Sequence, residues 1–335
     1  MKRTFEIMKE KVLVTGISGY IGQHIAEELL KQGYSVVGTV RSLNKAMSTK
    51  ASLASVVSIK KLDFAEADLL SDKGWDKAMH GCTFVLHVAS PFVLAEPKNE
   101  DDLIDPAVEG TKRVIAAAKR AGVKRLVITS SIFSIIGGKE SGTCSPEDWS
   151  DTNKNIGAYA KSKTLGERAA WEAAKGSQLE IVAILPGAVF GPPISGKAEG
   201  QSAAMIQTMI NGKMPMIPDI AMGMVDVRDV ARLQVKALTA KEATGKRFIA
   251  ASSEPVSLMH LAKVLKDAGF TKVPTRKAPT IMVKIMGMFD REARGSAPIL
   301  GKKVTLKNQE TFDILEWKPT PIEKSIVDMA NAIAN

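Results

Sequence analysis

KVLVTGISGYIGQHIAEELLKQG, residues 11–33, decides the fold. Residues 11–15 are a short β-branched run, and residues 22–32 carry apolar side chains at the spacing of an amphipathic helix. Glycines stand between them at 16, 19 and 22. Gly16 permits a tight turn, Gly19 lets backbone approach a pyrophosphate, and Gly22 lets helix and strand pack closely. The helix N-terminus then offers N–H groups and a partial positive charge to phosphate. Strand, glycine turn and helix within one unit predict dinucleotide binding by Gly16, Ile17, Ser18, Gly19, Tyr20, Ile21 and Gly22. The spacing is Gly-x-x-Gly-x-x-Gly, not the commoner Gly-x-Gly-x-x-Gly.

The same rhythm continues outward. YSVVGTVR (34–41), VVSIKKLD (56–63), TFVLHVASP (83–91), KRLVITSS (124–131) and LEIVAILPG (179–187) read as strands. Helical patterns lie between them at 72–80, 102–121 and 157–175. Near-continuous apolar strands alternating with helices predict an α/β protein with a doubly wound parallel sheet, an NAD(P)-binding Rossmann fold over residues 8–187. After Pro186 the rhythm breaks into a loop-rich, methionine-rich stretch. Residues 188–335 are therefore expected to form a smaller, mixed substrate lobe, with some elements returning to the Rossmann sheet. RFIAA (247–251) is a strand candidate there, and a helix is expected near 257–268. Translation from Met8 would make the first seven residues a dispensable extension.

The residue closing the second strand selects the dinucleotide: an acid for a ribose hydroxyl, a cation for a 2′-phosphate. Here Arg41 stands there, with Lys45 four places on, so the expected cofactor is NADPH/NADP+. Asp63 and Asp68 come too late for the ribose; Asp68 and Leu69 suit the adenine edge.

Composition narrows the partners. The 335 residues carry a formal charge of +10, scattered rather than blocked, which fits a basic surface or an anionic small ligand. Aromatic residues are 5% of the chain, so no stacking platform for nucleic acid is expected. Cys82 and Cys144 have no metal or redox spacing, and neither do His24, His80, His87 and His260. No metal site is expected. With no signal-peptide pattern and no apolar run of spanning length, the reading is a cytoplasmic monomer or homodimer with no membrane contact.

GAYAKSKTLGE (157–167) holds Tyr159 and Lys163, which share a face if the stretch is helical. The spacing alone is cheap, but it follows other motifs in order: TGISGYIG (15–22), VASPF (88–92) and TSS (129–131). LPGAVFGP (185–192) comes after it, and DPAVEGTKRVI (105–115) and VDVRDVA (225–231) add support. Together these resemble the extended short-chain dehydrogenase/reductase superfamily, in the branch of dihydroflavonol, cinnamoyl-CoA and aldehyde or methylglyoxal reductases. The resemblance spans residues 10 to 330 and implies a catalytic serine, tyrosine and lysine: Ser131, Tyr159 and Lys163. It implies hydride transfer to a carbonyl carbon, with Tyr159 as proton donor, Lys163 lowering its pKa and holding the nicotinamide ribose, and Ser131 orienting the carbonyl oxygen. Ser131 also closes a parallel strand, where such sheets bind ligands. Val88, Ala89, Ser90, Pro186, Val189 and Ser202 are implied cofactor contacts by the same route.

The chain departs from named branches in two places. Where dihydroflavonol reductases carry Asn or Asp after the serine, SIFSIIGG places Ile136, which cannot hydrogen-bond flavonoid hydroxyls. NIGAY (155–159) lacks the Asn-Trp-Tyr-Cys stretch of cinnamoyl-CoA reductases. What remains is a carbonyl reductase whose apolar pocket has Phe92, Ile132, Phe133, Met205 and Met209 as candidate walls. Alternatives within reach of the same motifs are a hydroxysteroid dehydrogenase, a nucleotide-sugar epimerase and a non-catalytic NADPH-binding regulator.

Overall fold

Val12, Leu13 and Val14 are fully buried because β1 (Lys11–Thr15) lies in the middle of a sheet covered on both faces. The structure, a computed structural model, describes residues 10–90, 97–289, 294–295 and 297–334. Beside β1 stand β2 (Ser35–Val40), β3 (Leu62–Glu66), β4 (Phe84–His87), β5 (Arg125–Thr129), β7 (Glu180–Pro186) and β11 (Arg247–Ala250). They run in the order β11-β7-β5-β4-β1-β2-β3, every pair parallel. Successive side chains on a strand point to opposite faces, and the sheet uses both. Val12 and Val14 meet Ile25 and Leu29 of α1 (Tyr20–Lys31) and Val230 of α8 (Val227–Ala237). Leu13 faces the other way, toward Val114 of α4 (Asp101–Arg120) and Ala170 of α6 (Ala158–Ala174).

The chain reverses its winding direction between β1 and β4, so the loops after these strands open a crevice at their carboxyl ends. β11 comes from beyond residue 187 and completes the sheet beside β7. The remaining second half gathers around its own core, built from α7 (Gln201–Ile210), α9 (Leu258–Asp267) and the C-terminal helix Ile322–Ile333. Short pairings tie it down: β8 (Ala188–Phe190) with β10 (Met224–Asp226), and β9 (Ala221–Met222) with β12 (Val256–Ser257). β6 (Ser141–Cys144) pairs with β13 (Lys303–Leu306), joining the two halves.

One strand lies elsewhere than its sequence pattern suggests. Residues 56–61 are a turn in which Val57 and Ile59 pack on the core, so their alternation imitates a strand. The third strand is Leu62–Glu66, at the sheet edge, where exposed Asp63 and Glu66 dilute its apolar character. Before it runs α2 (Leu43–Ala54), which buries only Ala46, Thr49 and Leu53 and so leaves a faint periodic signal. Among the described residues, no helix is long and apolar enough to cross a membrane. Both Cys82 and Cys144 are free and buried.

Candidate active site

Gly16 takes φ +67°, and a Cβ there would lie 2.9 Å from the Cα of Ala89, so the β1 turn and the β4 loop touch backbone to backbone. A Cβ on Gly22 would lie 2.3 Å from the Gly16 carbonyl oxygen. Gly19 differs: its Cβ position is open apart from the Gly16 oxygen at 3.4 Å, and the residue is exposed. It caps α1 with no side-chain hydrogen bond and no acid in the first turn. A helix start bare of side chains and of negative charge is suited to a phosphate. Ile17 and Tyr20 offer this turn their backbone only. The Ile17 side chain is fully buried against Gly38, and the Tyr20 hydroxyl donates to the Gly191 carbonyl at 2.7 Å.

Thr15 joins the two loops. Its hydroxyl oxygen accepts from the Val88 and Ala89 N–H groups, both at 3.0 Å, which leaves its own proton for His87 Nδ1 at 2.9 Å. His87 therefore carries its proton on Nε2, toward Thr111 Oγ1. Burial, with Lys163 nearby, pushes the His87 pKa down to about 3, so the ring is neutral.

Arg41 follows β2 directly, and Lys45 sits in the first turn of α2. Both are exposed, and neither side chain has an ion-pair or hydrogen-bond partner among the described residues. Two free cations beside the crevice fit an anionic substituent. Asp68 is half-buried and accepts from the Leu70 N–H at 2.9 Å, while Leu69 packs against Gly110 of α4. Ser202 is the second residue of α7, and Val189 lies in β8; both are half-buried. Pro186 ends β7, where its carbonyl accepts from Ile132 N–H at 2.9 Å.

Ser131 lies just past β5, and Tyr159 and Lys163 face the same crevice from the first turns of α6. The Ser131 hydroxyl accepts from the Phe133 N–H at 3.2 Å and lies near enough to the Tyr159 phenol to act on it, and the Phe133 ring meets the Tyr159 ring edge-on at 5.6 Å. The neighbouring Ser130 has other partners, Glu167 and Ser134. Lys163 Nζ lies 5.8 Å from the Tyr159 ring centre and donates to the Thr129 carbonyl at 3.5 Å. Burial lowers the Lys163 pKa to about 8, with Glu167 pulling it back up. Burial raises the Tyr159 pKa, and the nearby Ser131 hydroxyl opposes the rise. Burial is the larger influence on the phenol, and Lys163 directs its ammonium to the Thr129 carbonyl.

Next to this group opens a cleft. Ile132, Phe133, Ile136, Met222 and Leu306 line it, with Asn155 and two ion-paired lysines, Lys139 and Lys302. Of the expected walls, Ile132 and Phe133 are present. Met205 and Met209 are not: both pack into the second core, and Met209 is fully buried there. Phe92 lies outside the described residues. Met222 and Leu306 escaped the sequence reading because β9 and β13 reach the cleft through long-range pairing, which leaves no local pattern.

The model of the NAD dependent epimerase/dehydratase family matches residues 12–251. The chain is an extended short-chain dehydrogenase/reductase. The match runs from β1 through β11, so the family pattern covers the whole parallel sheet. Among curated relatives, a cinnamoyl-CoA reductase of Medicago truncatula is 35% identical over 246 residues, 71% of this chain and 75% of the relative. The NADPH-dependent methylglyoxal reductase of Saccharomyces cerevisiae is 32% identical over 268 residues, 71% of this chain and 77% of the relative. The solved structure of yeast methylglyoxal/isovaleraldehyde reductase complexed with NADPH superposes with a TM-score of 0.80 at 26% identity, covering 96% of this chain and 98% of that one. The extended short-chain dehydrogenase/reductase architecture accounts for the bare helix start at Gly19 and for the crevice between β1 and β4.

Proposed function

We propose that this oxidoreductase reduces the carbonyl group of small, largely apolar aldehydes or ketones, with Tyr159 delivering the proton. The cofactor is NADPH, which supplies a hydride when bound. The bare turn at residues 16–22 would hold its pyrophosphate, and Arg41 with Lys45 its 2′-phosphate.

The observation that carries the reading is the Ser131 hydroxyl set by the Tyr159 phenol beside a largely apolar cleft. A carbonyl oxygen placed between the two hydroxyls receives hydrogen bonds from both, and these strengthen as negative charge grows on it. Burial keeps the phenol protonated at neutral pH, as a proton donor must be. Lys163 holds positive charge beneath the reacting region. Ile136 and Met222 offer hydroxyls no partner, so a hydroxyl-rich substrate would find polar groups only at the Asn155, Lys139 and Lys302 side of the cleft. We further propose that the enzyme works in the cytoplasm as a monomer or homodimer.

NADPH consumption measured with aliphatic and aromatic aldehydes, diketones, steroids and UDP-sugars tests this. Turnover confined to the apolar aldehydes and ketones is expected. Interconversion of UDP-sugars with no net loss of NADPH, read by chromatography, and no turnover of simple carbonyls would replace the reading with an epimerase-type one. A second test concerns the turn. Gly19→Ala is expected to change stability by less than about 0.5 kcal/mol, because its Cβ meets open space in the fold. The methyl would stand where phosphate approaches, so NADPH affinity is expected to fall roughly tenfold, about 1.4 kcal/mol. Calorimetric titration and thermal melting separate the two effects.

A further inference from the structure

Glu167 lies one turn beyond Lys163 on α6, and Arg247 opens β11. Their side chains form an ion pair at 2.5 Å, with 0% and 8% exposure. Such pairs seldom stabilise a fold more than apolar packing would, because desolvating two charges costs several kcal/mol each. The network around this one is instead complete. Glu167 Oε2 accepts from Ser130 Oγ and Arg247 Nη2, and Oε1 accepts from Arg247 Nε and Trp171 Nε1. Arg247 spends its other N–H groups on the Pro146 and Asp148 carbonyls and on Ser134 Oγ, and its plane lies 3.8 Å over the Trp149 ring. Ser134 in turn donates its N–H and its hydroxyl to the Ser131 carbonyl, at 2.9 and 2.8 Å.

The residues held are those that flank the reacting group. Ser130 and Ser134 bracket Ser131 in the chain, so the network fixes the backbone that aims the Ser131 hydroxyl at Tyr159. On the helix side, Glu167 is the carboxylate that acts on Lys163. The other groups facing Lys163 bring no negative charge: neutral His87 from β4, the Thr129 carbonyl from β5, and the protonated Tyr159 on its own helix.

We propose that Glu167, clamped by Arg247, is a positioning residue that sets Ser131 through Ser130 and Ser134 and keeps Lys163 an ammonium ion. This rests on the roles proposed above for Ser131, Tyr159 and Lys163. Glu167→Gln preserves shape and removes the charge. Without the carboxylate, burial acts on Lys163 unopposed, so its titration moves down from about 8, by roughly one pH unit.

The alkaline fall of kcat is therefore expected to move to lower pH in Glu167→Gln, with kcat at neutral pH reduced about tenfold. Glu167→Asp keeps the charge and shortens the reach, so its kcat should drop while the alkaline limb stays near the parent's. NMR titration of the Lys163 ammonium in the protein alone gives a readout independent of turnover. A parental kcat and limb in Glu167→Gln, or lost kcat with an unmoved limb and Lys163 titration, would overturn the proposal. Should Glu167→Gln fail to fold, Ser130→Ala carries the test: a kcat about tenfold lower with NADPH affinity kept supports it, and a parental kcat overturns it. Failure of the functional reading would show instead as an inactive parent.

Discussion

Tyr159→Phe is expected to bind NADPH as the parent does and to lose about 10²- to 10⁴-fold in kcat, the usual span for a lost general acid. The phenyl ring keeps its edge-on contact with Phe133, so packing is retained and only the hydroxyl disappears. The Ser131 hydroxyl would still offer the developing oxyanion a hydrogen bond, but an alcohol is too weak an acid to replace the phenol as proton donor. Stopped-flow turnover and NADPH titration on one sample check both halves. A variant with near-parental kcat would remove Tyr159 from proton delivery.

Arg41→Asp is the second large effect. Charge-assisted hydrogen bonds contribute about 1.5–3 kcal/mol each, and Arg41 has no partner among the described residues to leave behind. The change removes one such contact with the 2′-phosphate and adds a repelling carboxylate. NADPH affinity is expected to fall about 10²-fold while NADH, which lacks that phosphate, changes little or improves. Because the site is exposed, the parent's NADPH affinity should also weaken with added salt. Equal loss for both dinucleotides would show that Arg41 acts on the fold rather than on the phosphate.

What could be read from the chain follows from how local each constraint is. The glycines at 16 and 22 are dictated by backbone contacts a few residues away or across one strand pair, and they stand out in the sequence. Arg41 is legible because it ends a strand whose apolar run is plain. Helix α2 is not, since it covers a sheet edge and needs only three buried residues. The edge strand Leu62–Glu66 is obscured for the same reason, while Val57 and Ile59 imitate it nearby.

The cleft shows the other limit. Ile132 and Phe133 are legible because they follow Ser131 directly, whereas Met222 and Leu306 arrive from β9 and β13. Met209 belongs to a helix whose buried face is apolar throughout, so nothing local distinguishes core from pocket. Glu167 and Arg247 are 80 residues apart and meet only because β11 returns to the sheet beside β7. On the page of the sequence each is an ordinary charged residue.

Isotope transfer tests the proposed reaction most directly. NADPH deuterated at the hydride position of its nicotinamide would be incubated with an apolar aldehyde or ketone that the enzyme turns over, and the alcohol examined by mass spectrometry and NMR. The expected product carries deuterium on the carbinol carbon, and Tyr159→Phe forms it at a rate lower by about 10²- to 10⁴-fold. Tight NADPH binding with no deuterated alcohol from any carbonyl tried would contradict carbonyl reduction as the function of this protein.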